Sequence, residues 1–159
     1  MPRDSTRRLH HKTPTWVKTG AIFHLRIRAS RENRHPLTDP AIARGLLASV
    51  NFYHQRASWF CHLMVLMPDH LHALISFPPD SEMRFTVGRW KAWQTRTLKV
   101  AWQDNYFDHR IRNDAEFELK AAYIRNNPVA RALCARPDDW PWVIDAAALE
   151  APSATPAPN

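Results

Sequence analysis

The sequence predicts an α+β fold of ferredoxin-like type: an antiparallel sheet with helices packed mainly on one face. Three observations predict it. Short apolar or alternating runs and stretches of helical spacing follow in the order strand, helix, strand, strand, helix, then more strand and a helix. The two central strands are separated only by Pro68-Asp69, which suits a tight antiparallel connection. A length of 159 residues with 45% hydrophobic content suits one domain with a single core.

The elements follow in chain order. Residues 1–14 are basic and aperiodic, and read as a disordered arm in which Arg7, Arg8 and Lys12 are candidates to grip a polyanion. Residues 15–145 read as the single folded domain. From Ala21 to Ala29 the chain alternates, with Ile22, His24, Arg26 and Arg28 on one face and Phe23, Leu25 and Ile27 on the other, as a strand does. Asp39-Pro40 supplies a cap and a first-turn proline for a helix to about Gln55, with Ile42, Leu46, Leu47 and Val50 at helical spacing. Trp59 to Met67 is a buried strand, and His70 to Phe77 its antiparallel partner. Ser81 is the expected cap of a helix from Glu82 towards Val100, with Gly88 as a weak point. Residues 101–112 are mixed and aromatic, a short strand or an irregular crossing. Asn113 or Asp114 caps the last helix, with acids in its first turn, Arg125 near its end and Pro128 to stop or kink it. Residues 146–159 read as a disordered, low-complexity tail.

Composition narrows the function. No apolar run reaches the length of a membrane span, and no apolar stretch follows the basic N-terminus as a secretory signal requires. The expected location is cytoplasmic, with association to the nucleoid when DNA is bound. Cys61 and Cys134 have no metal-ligand spacing and are expected to be reduced core residues. The net charge of +7 favours a polyanionic partner. Its distribution is sharper: residues 84–112 carry seven basic and two acidic groups, and residues 120–136 carry four basic groups and no acid. Tryptophans 90, 93 and 102 are interleaved with these charges, and basic grooves with aromatic faces hold single-stranded nucleic acid. Trp90 and Trp93 share one helix and cannot both face the core unless its apolar stripe is wide. Arg84, Arg89, Lys91, Arg96 and Lys99 are the candidate phosphate contacts.

Period two places His70 and His72 on the same side of their strand, close enough for both imidazoles to reach one ion. Leu71, Ala73, Ile75 and Phe77 then point into a core. The spacing alone admits a metal pair or a structurally neutral one, and an ion needs a third ligand. Tyr123 and Asn127 lie four residues apart on one helical face, with Leu119 a turn before, while Phe117, Ala121 and Ile124 form the stripe that packs on the sheet. By themselves they are also compatible with a half-buried tyrosine and an asparagine near a helix end.

Several spaced motifs occur together: VLMPDHLHALI, then WQDNYFDHRIR at 102–112, YIRNNPV at 123–129, and DDWPW. In this order, from about Gly20 to Val143, the chain resembles the HUH single-tyrosine transposases of the IS200-like family, and within them the REP-associated tyrosine transposases. A serine usual after the last Pro-aromatic pair is replaced by Val143-Ile144. The resemblance implies an HUH fold in which His70, His72 and Asn127 bind Mg²⁺ or Mn²⁺. It implies that Tyr123 attacks a DNA phosphate to give a 5′-phosphotyrosine link, which a different 3′ hydroxyl later reverses. The implied substrate is single-stranded DNA with a hairpin formed by an imperfect palindromic repeat beside a short guide sequence. The implied state is a monomer rather than a dimer, since insertion-sequence relatives share tyrosine helices between subunits and the REP-associated group does not. No general base is evident; His62 and His109 are open candidates. Two rivals stand beside this reading: a non-catalytic single-stranded nucleic-acid-binding module, and a metal-dependent phosphodiesterase with water as nucleophile.

Overall fold

The computed structural model describes residues 13–147. Arg7, Arg8 and Lys12, and the tail beyond residue 147, lie outside the described residues. Strand β1 (Ile22–Arg28) follows a short helix α1 (Thr15–Thr19) that the sequence pattern does not announce. Helix α2 (Pro40–Gln55) begins as expected: Asp39 accepts from the backbone N–H groups of Ala41 and Ile42 at 3.2 and 3.5 Å, with Pro40 in the first turn. Strands β2 (Phe60–Leu66) and β3 (His70–Ser76) pair across the Pro68-Asp69 connection. Helix α3 (Met83–Leu98) runs unbroken through Gly88. Ser81 does not cap it; its hydroxyl donates to the Pro78 carbonyl instead, closing the preceding turn. Strand β4 (Phe107–Arg110) comes from the mixed aromatic segment. Helix α4 (Asp114–Ala130) is capped by Asn113, which accepts from Glu116 N–H at 2.8 Å, and it carries Pro128 without ending there. Strand β5 (Val143–Asp145) closes the described chain.

The sheet order is β4-β1-β3-β2-β5, and every neighbouring pair is antiparallel. The first four strands with α2 and α3 make the ferredoxin-like split βαβ arrangement. Both helices pack on one face, against Leu25, Ile27, Leu71, Ala73 and Ile75, with Trp59 and Trp90 filling the layer. Ser49 ties the two helices: its hydroxyl accepts from Trp90 Nε1 at 3.0 Å and donates to Leu46 O at 2.7 Å. The helices approach closely at Gly45, where an added Cβ would stand 2.7 Å from Leu98 Cδ2.

Helix α4 is an addition on the opposite face. Ala121 and Ile124 pack there on Leu63, Val65 and Leu74, with Phe117 at the margin. Arg125 is not left to the helix terminus; it pairs with Asp145 on β5 through two bonds of 2.8 and 3.2 Å. The Trp-Pro-Trp segment braces β2, with Trp140 Nε1 donating to Leu66 O at 2.9 Å and Leu66 N–H donating to Trp142 O at 3.0 Å. Cys61 is buried, as expected, and burial pushes its thiol up to about 12. Cys134 departs from the expectation: it is only half-buried in the turn after α4, where its thiol donates to Arg136 O. Among the described residues no helix is long and apolar enough to cross a membrane.

Candidate active site

The strand period decides which side of β3 carries the histidines. Its odd residues Leu71, Ala73 and Ile75 enter the α2/α3 core, so His70 and His72 project to the face under α4. Both are buried, at 1% and 3% exposure, and their Nε2 atoms stand 3.2 Å apart. The other ring nitrogens have separate partners. His70 Nδ1 lies 2.6 Å from Asp69 Oδ1, and His72 Nδ1 lies 3.0 Å from Nε2 of His24 on β1. A carboxylate accepts the Nδ1 proton of His70, which leaves its Nε2 as a lone pair aimed at His72. For His72 to present the same lone pair, its Nδ1–H must donate to His24.

Burial holds these imidazoles neutral. It lowers His72 from the usual 6.5 to about 3, helped by the neighbouring histidines and by Arg26 and Arg131. It lowers His24 to about 4, with Lys120 and Arg26 adding to the effect. His70 is lowered too, against the opposing pull of Asp69. Asp69 in turn is held below the usual carboxylate range, chiefly by its bond to His70. Neutral imidazoles are the form that ligates a metal.

Helix α4 brings the remaining groups. Tyr123 is 57% exposed, and its ring stands edge-on to His72 with centroids 6.0 Å apart. Arg131, two turns further along, acts electrostatically on both His70 and His72. Asn127 lies midway between them on the same helical side. It is 5% exposed, and its Oδ1 is fully buried with no hydrogen-bond partner among the described residues. A buried, unpaired amide oxygen is costly unless something else satisfies it. The structure therefore brings together His70, His72 and Tyr123, with the buried Asn127 one turn further along the tyrosine's helix. Leu119, a turn before the tyrosine, is 73% exposed and takes no part.

The sequence-predicted phosphate contacts fall elsewhere. Arg84, Arg89, Lys91 and Arg96 sit on α3, and Lys99 follows it; this helix packs through Val87 and Trp90 on the face opposite the histidines. Lys91 is committed to the Gln103 and Asp104 carbonyls at 2.7 and 3.3 Å. Trp90 is core and Trp93 half-exposed, with Arg96 over its ring at 5.7 Å. Among the described residues, the cations near the histidines are Arg26, Arg28, Lys120 and Arg131, and a third, neutral imidazole, His24, stands beside them. The alternation of β1 had put His24, Arg26 and Arg28 on one face, but only the β1/β3 register, Arg26 opposite His72 and Arg28 opposite His70, makes that the histidine face. His62 and His109 are held in structural contacts. His62 bonds Ser76 Oγ at 2.8 Å, at the far end of β3, and His109 pairs with Glu116 in the first turn of α4.

Comparison with known proteins decides the family. The profile described as "Transposase IS200 like" matches residues 21–127, more than half of the chain. This chain belongs to the IS200-like transposase family. A REP-associated tyrosine transposase from Escherichia coli (strain K12) is 29% identical over 83 residues, covering 49% of each protein, so the match spans about half the length of that relative. A solved structure of a REP-associated tyrosine transposase bound to a REP hairpin superposes with a TM-score of 0.67 at 22% identity, covering 78% of this chain and 76% of that one. That likeness confirms the α+β fold. The family match contains β1, the histidine strand and the helix up to Asn127, which are the elements that make the constellation.

Proposed function

We propose that this transposase-family chain cuts and rejoins single-stranded DNA through a covalent bond to Tyr123. One observation carries the reading: an exposed phenol stands against a buried pair of neutral imidazoles whose Nε2 atoms converge, one helical turn from an asparagine oxygen that is buried and unpartnered among the described residues. That donor set fits a divalent ion held by His70, His72 and Asn127, two nitrogens and an oxygen. When bound, Mg²⁺ or Mn²⁺ would polarise the scissile phosphate and stabilise the departing oxygen.

The chain's own groups do the rest. The Tyr123 oxygen forms a bond to phosphorus as the bond to the 3′ oxygen breaks, giving a 5′-phosphotyrosine and a free 3′ hydroxyl. The phenolic proton passes to solvent, to which the side chain is open. Arg26, Lys120 and Arg131 place positive charge around the phosphate, where negative charge grows in the transition state. Attack by a different 3′ hydroxyl reverses the step and joins strands. The covalent link conserves the phosphoester energy, so no nucleotide cofactor is consumed.

The substrate in this reading is a single strand carrying a hairpin from an imperfect palindromic repeat; the solved REP-associated relative is bound to a REP hairpin. The reading favours a monomer, since the Tyr123 ring stands against His72 of its own chain.

The test is incubation with a hairpin-bearing single strand and Mn²⁺, followed by denaturing electrophoresis. A protein–DNA adduct is expected, and it should vanish in Tyr123→Phe with no loss of melting temperature. Cleavage that persists in that variant would favour water as nucleophile. Tight binding without cleavage under any divalent ion would favour a non-catalytic module.

A further inference from the structure

Beside the histidine pair lies a cleft of about 200 Å³, lined by Arg26, Arg28, Gln103, Asn105, Tyr106 and Phe107. The strand registers put it next to the reacting groups. Arg26 and Arg28 stand opposite His72 and His70 on β3, one strand spacing of about 4.8 Å away, and Phe107 stands opposite Arg26 on β4. Phe107 is an apolar ring left 45% exposed on a sheet edge. Its edge contacts His24 at 5.7 Å between centroids, and the Arg26 guanidinium lies 5.3 Å from its centre. Arg28 also reaches Asp69, the partner of His70, at 4.0 Å. The amides of Gln103 and Asn105 are exposed at the other wall.

We propose that this cleft is a nucleotide subsite, in which Phe107 stacks with one unpaired base next to the scissile phosphate. Arg26 and Arg28 take the phosphates on either side of that base, and Gln103 and Asn105 offer both donors and acceptors to its edge. An aromatic face flanked by guanidiniums and amides is the chemistry that recognises a splayed nucleotide; a base locked in a duplex stack has no free face to offer. The proposal rests on Tyr123 as the nucleophile, because it is the tyrosine that brings the strand to this end of the sheet.

The experiment needs no cleavage, so it is separable from the test of the nucleophile. Full-length protein is titrated, in EDTA, into a fluorescent hairpin-bearing oligodeoxynucleotide with short single-stranded arms, and anisotropy gives the affinity. Phe107→Ala is expected to bind roughly ten-fold more weakly, and Phe107→Trp to bind as tightly as the native protein. The measurement is then repeated with a single abasic site walked along the arms. At one position the native protein should lose the same ten-fold, and Phe107→Ala should lose nothing more, because the stacked base is already gone. Arg26→Gln and Arg28→Gln should each flatten the salt dependence of binding, by roughly one phosphate contact. A Phe107→Ala penalty that is absent, or equal at every abasic position, would overturn the subsite. If no adduct forms with Tyr123 but the abasic positions still discriminate, the nucleophile reading fails and the subsite stands as a binding site.

Discussion

The two faces of the sheet carry opposite loads. Under α2 and α3 the sheet offers Leu25, Ile27, Leu71, Ala73 and Ile75 to a closed layer of aliphatic and tryptophan side chains. Under α4 the same sheet offers Leu63, Val65 and Leu74 interleaved with His24, His70 and His72, His24 standing opposite Leu74 and Val65 opposite His72. Three buried imidazoles in contact are a poor way to build a core, because each is desolvated and one of them, His24, keeps an Nδ1 without a partner among the described residues. The comparison teaches a division of labour. The apolar face makes the platform rigid, and the other face uses that rigidity to hold polar groups in a fixed arrangement at some cost in stability.

The largest effect that would break this contrast is on the apolar side. Trp90 packs against Trp59 and Trp102 at 5.9 and 5.5 Å between centroids, so Trp90→Ala should cost about 3–5 kcal/mol in urea unfolding. A cost below about 1 kcal/mol would show that this layer is not the platform. On the polar side the expected sign differs. His24→Phe removes the acceptor for His72 but keeps a ring in the gap, so the protein should melt no lower. Its affinity for Mn²⁺, measured by calorimetry without DNA, should fall about ten-fold or more. Unchanged affinity would mean that His24 does not orient the ligand.

The smallest effect sharpens the comparison through acid. Burial lowers His62 from 6.5 to about 4, with nearby His54 adding to the effect, while its ring rests on Phe117 beneath α4. The folded protein therefore resists a proton that the unfolded chain accepts, and stability declines as pH falls from about 6.5 towards 4. His62→Gln, which can still bond Ser76, should lose less stability than the native protein over that window. Equal losses, followed by urea midpoint against pH, would place the acid sensitivity elsewhere.

How much was legible beforehand depends on how local the cause is. Asp39-Pro40 announced α2, and Asn113-Asp114 announced α4, with the structure choosing Asn113 as its cap, because a cap is a bond between near neighbours in sequence. Ser81 misled, since its hydroxyl had a nearer carbonyl at Pro78. Cys134 was expected in the core, although α4 ends first and leaves it in a turn. The basic residues of α3 lie on the face away from the histidines, which their charge could not reveal, because charge along a helix says nothing about which face of a distant sheet the helix covers.

By itself the sequence determined that His70 and His72 share a side of one strand and that Tyr123 and Asn127 share a side of one helix. Both follow from backbone periods of two and 3.6 that act over a few residues. Only the tertiary structure decided that these two sides face each other, that His24 completes a row of three imidazoles, and that Arg26, Arg28 and Phe107 stand beside them. Those neighbours come from β1 and β4, which lie tens of residues from β3 in sequence and meet at a register set by the burial of the opposite, apolar face. A pairing register between distant strands is a property of the whole core, and no local pattern contains it.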